Sequence, residues 1–132
     1  MVSIPKHVQG FLPRKMGWVA TASKSGEPNV TPKGTVRVLD DQHVVFADLF
    51  SLKTRANLEQ NPRVAVTVID PGTAKGYQIK GRAELLTSGP LFDATVKELA
   101  PKSMPPLHYL VKITVDAVFD QSVGPDAGKQ IA

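Results

Sequence analysis

The sequence has no cysteine. That removes disulfides, thiolate metal ligands and cysteine nucleophiles together, and it fits a reducing compartment without requiring one. No stretch is apolar for long enough to cross a membrane as a helix. The opening "MVSIPKHVQGFLPRK" has neither a long apolar core nor a small-residue cleavage site, so no signal peptide is expected and the expected location is cytoplasmic. Aromatic residues are scarce, with one Trp, two Tyr and five Phe. The Trp and Tyr are not interleaved with cations, as a nucleic-acid surface would need. Net charge is +4, yet no five like charges run together. The basic excess therefore reads first as a solvated surface and second as a site for a small anion. Neither nucleic acid nor membrane is an expected partner.

Signatures of catalysis are missing as well. There is no G-x-S-x-G hydrolase elbow. His7, His43 and His108 lie far apart and none has a ligand partner at metal spacing, so no metal is expected, although a single axial histidine for haem leaves no spacing signature. The tail from Gly124 to Gln130 imitates a phosphate-binding loop, but its glycines are one residue too close and Gln130 stands where Ser or Thr is needed. No residue can be named as a catalytic acid, base or nucleophile.

What is present is an ordinary core-forming composition. Hydrophobic residues make up 42% of 132 and charged residues 21%, which suits one globular domain spanning residues 1–132. The spacing of Val8, Leu12 and Met16 predicts a short helix within Ile4 to Lys15. Strands are expected at Gly17 to Ala22, Asn29 to Asp40, His43 to Ala47, Arg63 to Asp70, Tyr77 to Thr87 and His108 to Gln121, from alternating or continuous β-branched runs. Pro32 cannot donate a ladder hydrogen bond, so the second strand should lie at an edge or a bulge. Pro90 to Ala100 is the clearest helix, with Pro at its start. The tail from Gly124 to Ala132 is expected to fray. Most connections are too short for crossover helices. The expected fold is therefore mainly β: a six-stranded antiparallel sheet, closed or nearly so, with two or three short helices.

One cluster stands out. "SLKTRANL" follows an apolar strand, and Ser51, Lys53, Thr54 and Arg55 crowd the first turn of a short helix that Pro62 closes. Cations are normally better placed at a helix's last turn. A helix start offers unpaired N–H groups and positive partial charge, so Lys53 with the hydroxyls of Ser51 and Thr54 could hold a phosphate monoester. Ordinary capping by Ser51, with Lys53 and Arg55 in solvent, explains the same residues. Lys33, in "NVTPKG", borders the same pair of strands and could join the site.

The order strand, "SGEP" turn, strand, "LDDQHVVF", Lys53-Thr54, "NLEQNPRVAV" and "GYQIKGRAELL" resembles the pyridoxamine 5′-phosphate oxidase-like FMN-binding split β-barrels, especially their small stand-alone flavin-binding members. The likeness runs from about Trp18 to Phe119. It implies a six-stranded split-barrel homodimer with FMN between subunits, in an oxidoreductase or electron-transfer role. It implies FMN phosphate on Lys53 and Thr54 with Ser51 nearby, and Val30, Thr31 and Pro32 along the isoalloxazine ring. It implies backbone contacts from Ala47, Asp48 and Leu49 at the ring's polar edge, and Leu107, His108 or Tyr109 of the partner copy over the ring. Lys33 could stabilise negative charge on reduced flavin. Two departures matter. The Arg- and Trp-rich C-terminal segment of true pyridoxamine-phosphate oxidases is replaced by "FDQSVGPDAGKQIA", which argues against vitamin B6 oxidation. Pro32 stands where the small electron-transfer member has an aromatic residue. Relatives that take F420 or haem, and a cofactor-free dimeric interaction module, remain as alternatives.

Overall fold

The computed structural model describes residues 1–132. In chain order the elements are α1 (Lys6–Phe11), β1 (Gly17–Ala22), β2 (Pro28–Lys33), β3 (Arg37–Asp40), β4 (His43–Asp48), α2 (Leu52–Gln60), β5 (Arg63–Asp70), β6 (Lys75–Leu86), α3 (Pro90–Leu99) and β7 (Tyr109–Asp120), with a 3-10 turn over Ala100–Lys102. The strands form one sheet in the order β2-β1-β5-β6-β7-β4-β3, and every pairing is antiparallel.

The sheet has seven strands rather than six, because the run expected as one strand from Asn29 to Asp40 is two. β2 pairs with β1 and β3 with β4, at opposite edges of the sheet. Pro32 lies on the β2 edge, where its missing N–H costs no ladder bond. Only Gly34, Thr35 and Val36 join the two edges. Seven flat strands would span about 29 Å at the usual spacing, whereas three linking residues reach about 14 Å. The sheet must therefore curl until its edges nearly meet. The result is a barrel split between β2 and β3, not closed by hydrogen bonds.

The inward face of this curled sheet carries the core. Val19, Val44, Phe46, Val66, Val68, Ile79, Val111 and Ile113 are all buried. α1 plugs one end with Val8 and Leu12, both fully withdrawn from water. It is shorter than expected. Pro13 and the left-handed backbone of Arg14, at φ 66, end it before Met16, which stays exposed. β6 and β7 approach so closely at a bulge that a side chain at Gly81 would collide with the Thr114 carbonyl. The tail does not fray. Gln130 bridges Phe119, and Ala132 O accepts from Val118 N–H at 3.0 Å. No helix is long and apolar enough to cross a membrane.

Candidate functional site

β4 is buried from Val44 to Asp48 and delivers Asp48 to the base of a groove. The Asp48 carboxylate accepts the Ser51 N–H at 2.8 Å and pairs with Lys33 Nζ at 3.2 Å. The two side chains are only 2% and 10% exposed. Lys33 Nζ also donates to Ser51 Oγ. Burial opposes ionisation of Asp48, but the Tyr109 hydroxyl beside it, the charge and hydrogen bond of Lys33 and the Ser51 hydroxyl outweigh burial. They hold its pKa below the ordinary carboxylate value. Burial, and then the Asp48 charge, push the Tyr109 hydroxyl up. That hydroxyl is buried without a hydrogen-bond partner of ordinary geometry.

This network decides how α2 begins. Ser51 precedes the helix and its carbonyl accepts the Arg55 N–H at 2.9 Å, but its side chain makes no cap. The hydroxyl is turned to Lys33 instead. The first turn therefore keeps N–H groups without side-chain partners, has no acidic residue, and carries Lys53, which is exposed and takes part in no ion pair. α2 is fixed on the sheet by Asn57, whose amide donates to Thr21 Oγ1 at 3.1 Å, both residues being buried. Asn29 on β2 reaches the buried Thr54 hydroxyl at 3.5 Å.

Two adjoining hollows make the groove. One, of about 340 Å³, is lined by Asn29, Val30, Thr31, Phe50, Ser51, Leu52, Lys53 and Thr54. The other, of about 500 Å³, is lined by Thr31 to Thr35, Ala47, Leu49, Phe50, Ser51, Leu99, Lys102 and Met104. They share Thr31, Phe50 and Ser51. Of the residues singled out from the sequence, Val30, Thr31, Pro32, Lys33, Ala47, Leu49, Ser51, Lys53 and Thr54 all line this groove. Asp48 sits behind them, holding Lys33 and Ser51. One end thus offers a free cation, a helix N-terminus and hydroxyls. The other offers Pro32, Leu49, Phe50 and Met104 as apolar walls. Such a groove suits an elongated ligand that is anionic at one end and flat and apolar at the other. A larger hollow of about 940 Å³ lies between the α1–β1 loop and Trp18, Thr67 and Ile69; it contains no helix N-terminus, and the chemistry gathers at the smaller groove.

Three residues behave differently from expectation. Tyr109 is buried within its own chain, paired across the sheet with Asp48, so its ring is not available for the covering role that the resemblance implied. Leu107 and His108 keep partial or full exposure, and His108 meets Phe50 edge to face at 6.2 Å. Lys33 is not a spare cation, because Asp48 neutralises it. Arg55 is more than a surface residue: it lies over the Tyr109 ring at 5.5 Å and pairs with Glu59 at 3.6 Å. Among the lining residues that sequence reasoning missed are Asn29, Thr35, Phe50, Leu52, Lys102 and Met104. Only Phe50 carried a signal, as an aromatic residue in a polar loop between strand and helix.

A family model described as pyridoxamine 5′-phosphate oxidase matches residues 4–122. An uncharacterized protein of Methanocaldococcus jannaschii is 35% identical over 137 residues, which cover 100% of this chain and 90% of that protein. The crystal structure of HupZ from Group A Streptococcus superposes with a TM-score of 0.84 at 27% identity, covering 95% of this chain and 99% of that one. An FMN-binding protein from Syntrophomonas wolfei shares the fold at a TM-score of 0.74 and 17% identity, over 90% of this chain and 84% of that one.

Proposed function

The chain belongs to the pyridoxamine 5′-phosphate oxidase family, and from that premise we propose that it is a homodimeric FMN-binding protein with a redox role. The observation that carries this reading is the uncapped start of α2 beside the unpaired Lys53. A phosphate monoester there would meet N–H groups, the helix dipole, a cation and hydroxyls together. Cations at the wrong end of a helix are then explained by the ligand they face.

The donor set fits FMN. Lys53, with the N–H groups of the first turn and Thr54, would hold the phosphate, with Ser51 nearby. Val30, Thr31 and Pro32 would line one side of the isoalloxazine ring. Ala47, Asp48 and Leu49 would meet its polar edge through backbone groups. Lys33, neutralised by Asp48, would give the ring a hydrogen-bond donor with little net charge. When bound, FMN supplies one- or two-electron transfer, and the protein binds, orients and tunes it. Phe50 and Leu52 flank the groove with 75% and 77% of their surface in water, and Val30 adds to this apolar rim. Exposure of that kind supports a partner copy closing the groove and excluding water.

The test is a titration of purified apo-protein with FMN, followed by quenching of flavin fluorescence, beside titrations with F420 and haem. Micromolar or tighter FMN binding, weakened in Lys53→Ala and Thr54→Ala, is expected. Charged hydrogen bonds are worth roughly 1.5–3 kcal/mol each, or about ten- to hundred-fold in affinity. Preference for F420 or haem over FMN would reassign the groove. Failure of all three would leave a cofactor-free interaction module.

A further inference from the structure

Where β2 and β3 part company, a separate pocket of about 290 Å³ opens beyond the apolar end of the groove. It shares Gly34, Thr35, Ala47, Leu99 and Lys102 with the groove. These residues are a common wall, so a molecule in this pocket would adjoin whatever fills the groove. The titratable groups around it are Arg14, Arg37, Lys102 and Glu98, three cations against one carboxylate.

These cations are not equivalent. Arg37 donates to Thr95 Oγ1 at 2.9 Å and pairs with Glu98 at 3.3 Å, so its charge is answered and its guanidinium is fixed at the wall. Thr35 is also occupied: its hydroxyl accepts the Ala47 N–H at 3.0 Å and donates to the Ala47 carbonyl at 3.3 Å. Arg14 and Lys102 take part in no ion pair. They come from opposite parts of the chain, the loop after α1 and the turn after α3, and they converge only because the sheet curls. A concave site with an uncompensated excess of one sign of charge focuses field and concentrates counter-ions. The phosphate anchor at α2 is a different place, sharing no lining residue with this pocket.

Building on the flavin reading above, we infer that this pocket receives a carboxylate or phosphate group of the molecule that exchanges electrons with the flavin. Arg14 and Lys102 supply the attraction, and Arg37 holds the wall through Thr95 and Glu98. The redox partner is then a small anion rather than an apolar quinone.

The test uses the full chain without flavin, labelled for NMR and titrated with malonate and, separately, inorganic phosphate at constant ionic strength. Saturable shifts are expected at the amides of Gly34, Thr35, Ala47 and Lys102. Arg14→Ala/Lys102→Ala should weaken that binding about tenfold or more, and Arg14→Ala alone, at a residue outside the flavin groove, should leave FMN affinity within about twofold. A stronger response to malonate than to phosphate would assign a carboxylate, and the reverse a phosphate. Phosphate will also shift Ser51 to Thr54, an arm that added FMN should abolish. Shifts that never saturate, that are confined to Ser51 to Thr54, or that survive in the double variant would overturn the inference. Malonate binding here without any FMN binding would sink the flavin reading and the electron-exchange role that rests on it, leaving an anion site alone.

Discussion

Lys33 and Asp48, fifteen residues apart on β2 and at the end of β4, form an ion pair of 3.2 Å that is almost wholly withdrawn from water. The pair ties the edge strand of one side of the split to the strand that leads into α2. It also takes Ser51 away from its capping role, through the Ser51 N–H on Asp48 and the Ser51 hydroxyl on Lys33. One interaction thus holds the two sides of the groove together and leaves the start of α2 open.

Removing one partner should cost stability. Lys33→Met leaves the Asp48 carboxylate buried without its cation, and Asp48→Asn does the reverse. A loss of about 3 kcal/mol is expected for each, the low end for a buried pair because the groove admits solvent. Chemical denaturation measures it. The double variant Lys33→Met/Asp48→Asn should recover part of the loss, since no uncompensated charge remains. Purely additive losses would show that the pair is not coupled.

The same pair sets an acid limit. Asp48 is held below its ordinary pKa in the folded protein, so the unfolded chain binds more protons in acid. The pair's contribution is therefore full above about pH 4 and is lost as pH falls through the lower folded value. Asp40 is also held low, by Gln42 and His43 against a burial penalty, and Asp41 by Gln9 and Lys6. Wild type against Asp48→Asn isolates the Asp48 share. Tyr109 acts at the other limit. Its raised pKa favours the neutral folded form, so stability should fall as pH rises past about 10. Thermal melts from pH 3 to 11 measure both limbs; an Asp48→Asn melt parallel to wild type below pH 4 would contradict the first.

If FMN lies beside Lys33, the two variants should move its reduction potential in opposite directions. Asp48→Asn leaves Lys33 uncompensated, which favours added electrons and raises the potential. Lys33→Met removes the cation, leaves Asp48, and lowers it. Shifts of tens of millivolts are expected, about 30 mV per 1.4 kcal/mol for two electrons. Spectroelectrochemistry reads them, and shifts of the same sign in both variants would remove Lys33 from the flavin's surroundings.

Leu52→Glu tests the rim. Leu52 is 77% exposed in the single chain, so a charge there should not disturb folding. At a subunit interface it should weaken the dimer, seen by sedimentation as monomer at concentrations where wild type is paired, and should weaken FMN binding with it. Unchanged assembly would move the interface elsewhere.

Much of the sheet was legible because its signal is local. Alternation in Tyr77 to Arg82 and the β-branched run Val64 to Ile69 report a strand without reference to its neighbours. Lys53 and Thr54 were legible as a candidate anion site because a helix start is also local. The division of Asn29 to Asp40 into two strands was not, since it depends on which edges the curled sheet brings together. The Lys33–Asp48 pair, the burial of Tyr109 in its own chain and the placing of Arg14 and Lys102 on one pocket share that cause. Each joins residues distant along the chain, at spacings that carry no periodic signature. The tail misled for the reverse reason: its Gly, Pro and Asp residues favour turns, and it is Val118 to Asp120 of β7, with Ala74 and Gly76, that hold it in place.

The central claim is that the open start of α2 and Lys53 hold the phosphate of FMN. Its most direct test is the affinity of apo-protein for FMN against riboflavin, which lacks the phosphate, in wild type and Lys53→Ala. Wild type should bind FMN at micromolar or tighter Kd and riboflavin about tenfold or more weakly. Lys53→Ala should lose affinity for FMN while binding riboflavin as wild type does. Equal affinity for the two flavins, or a Lys53→Ala loss that is the same for both, would contradict it.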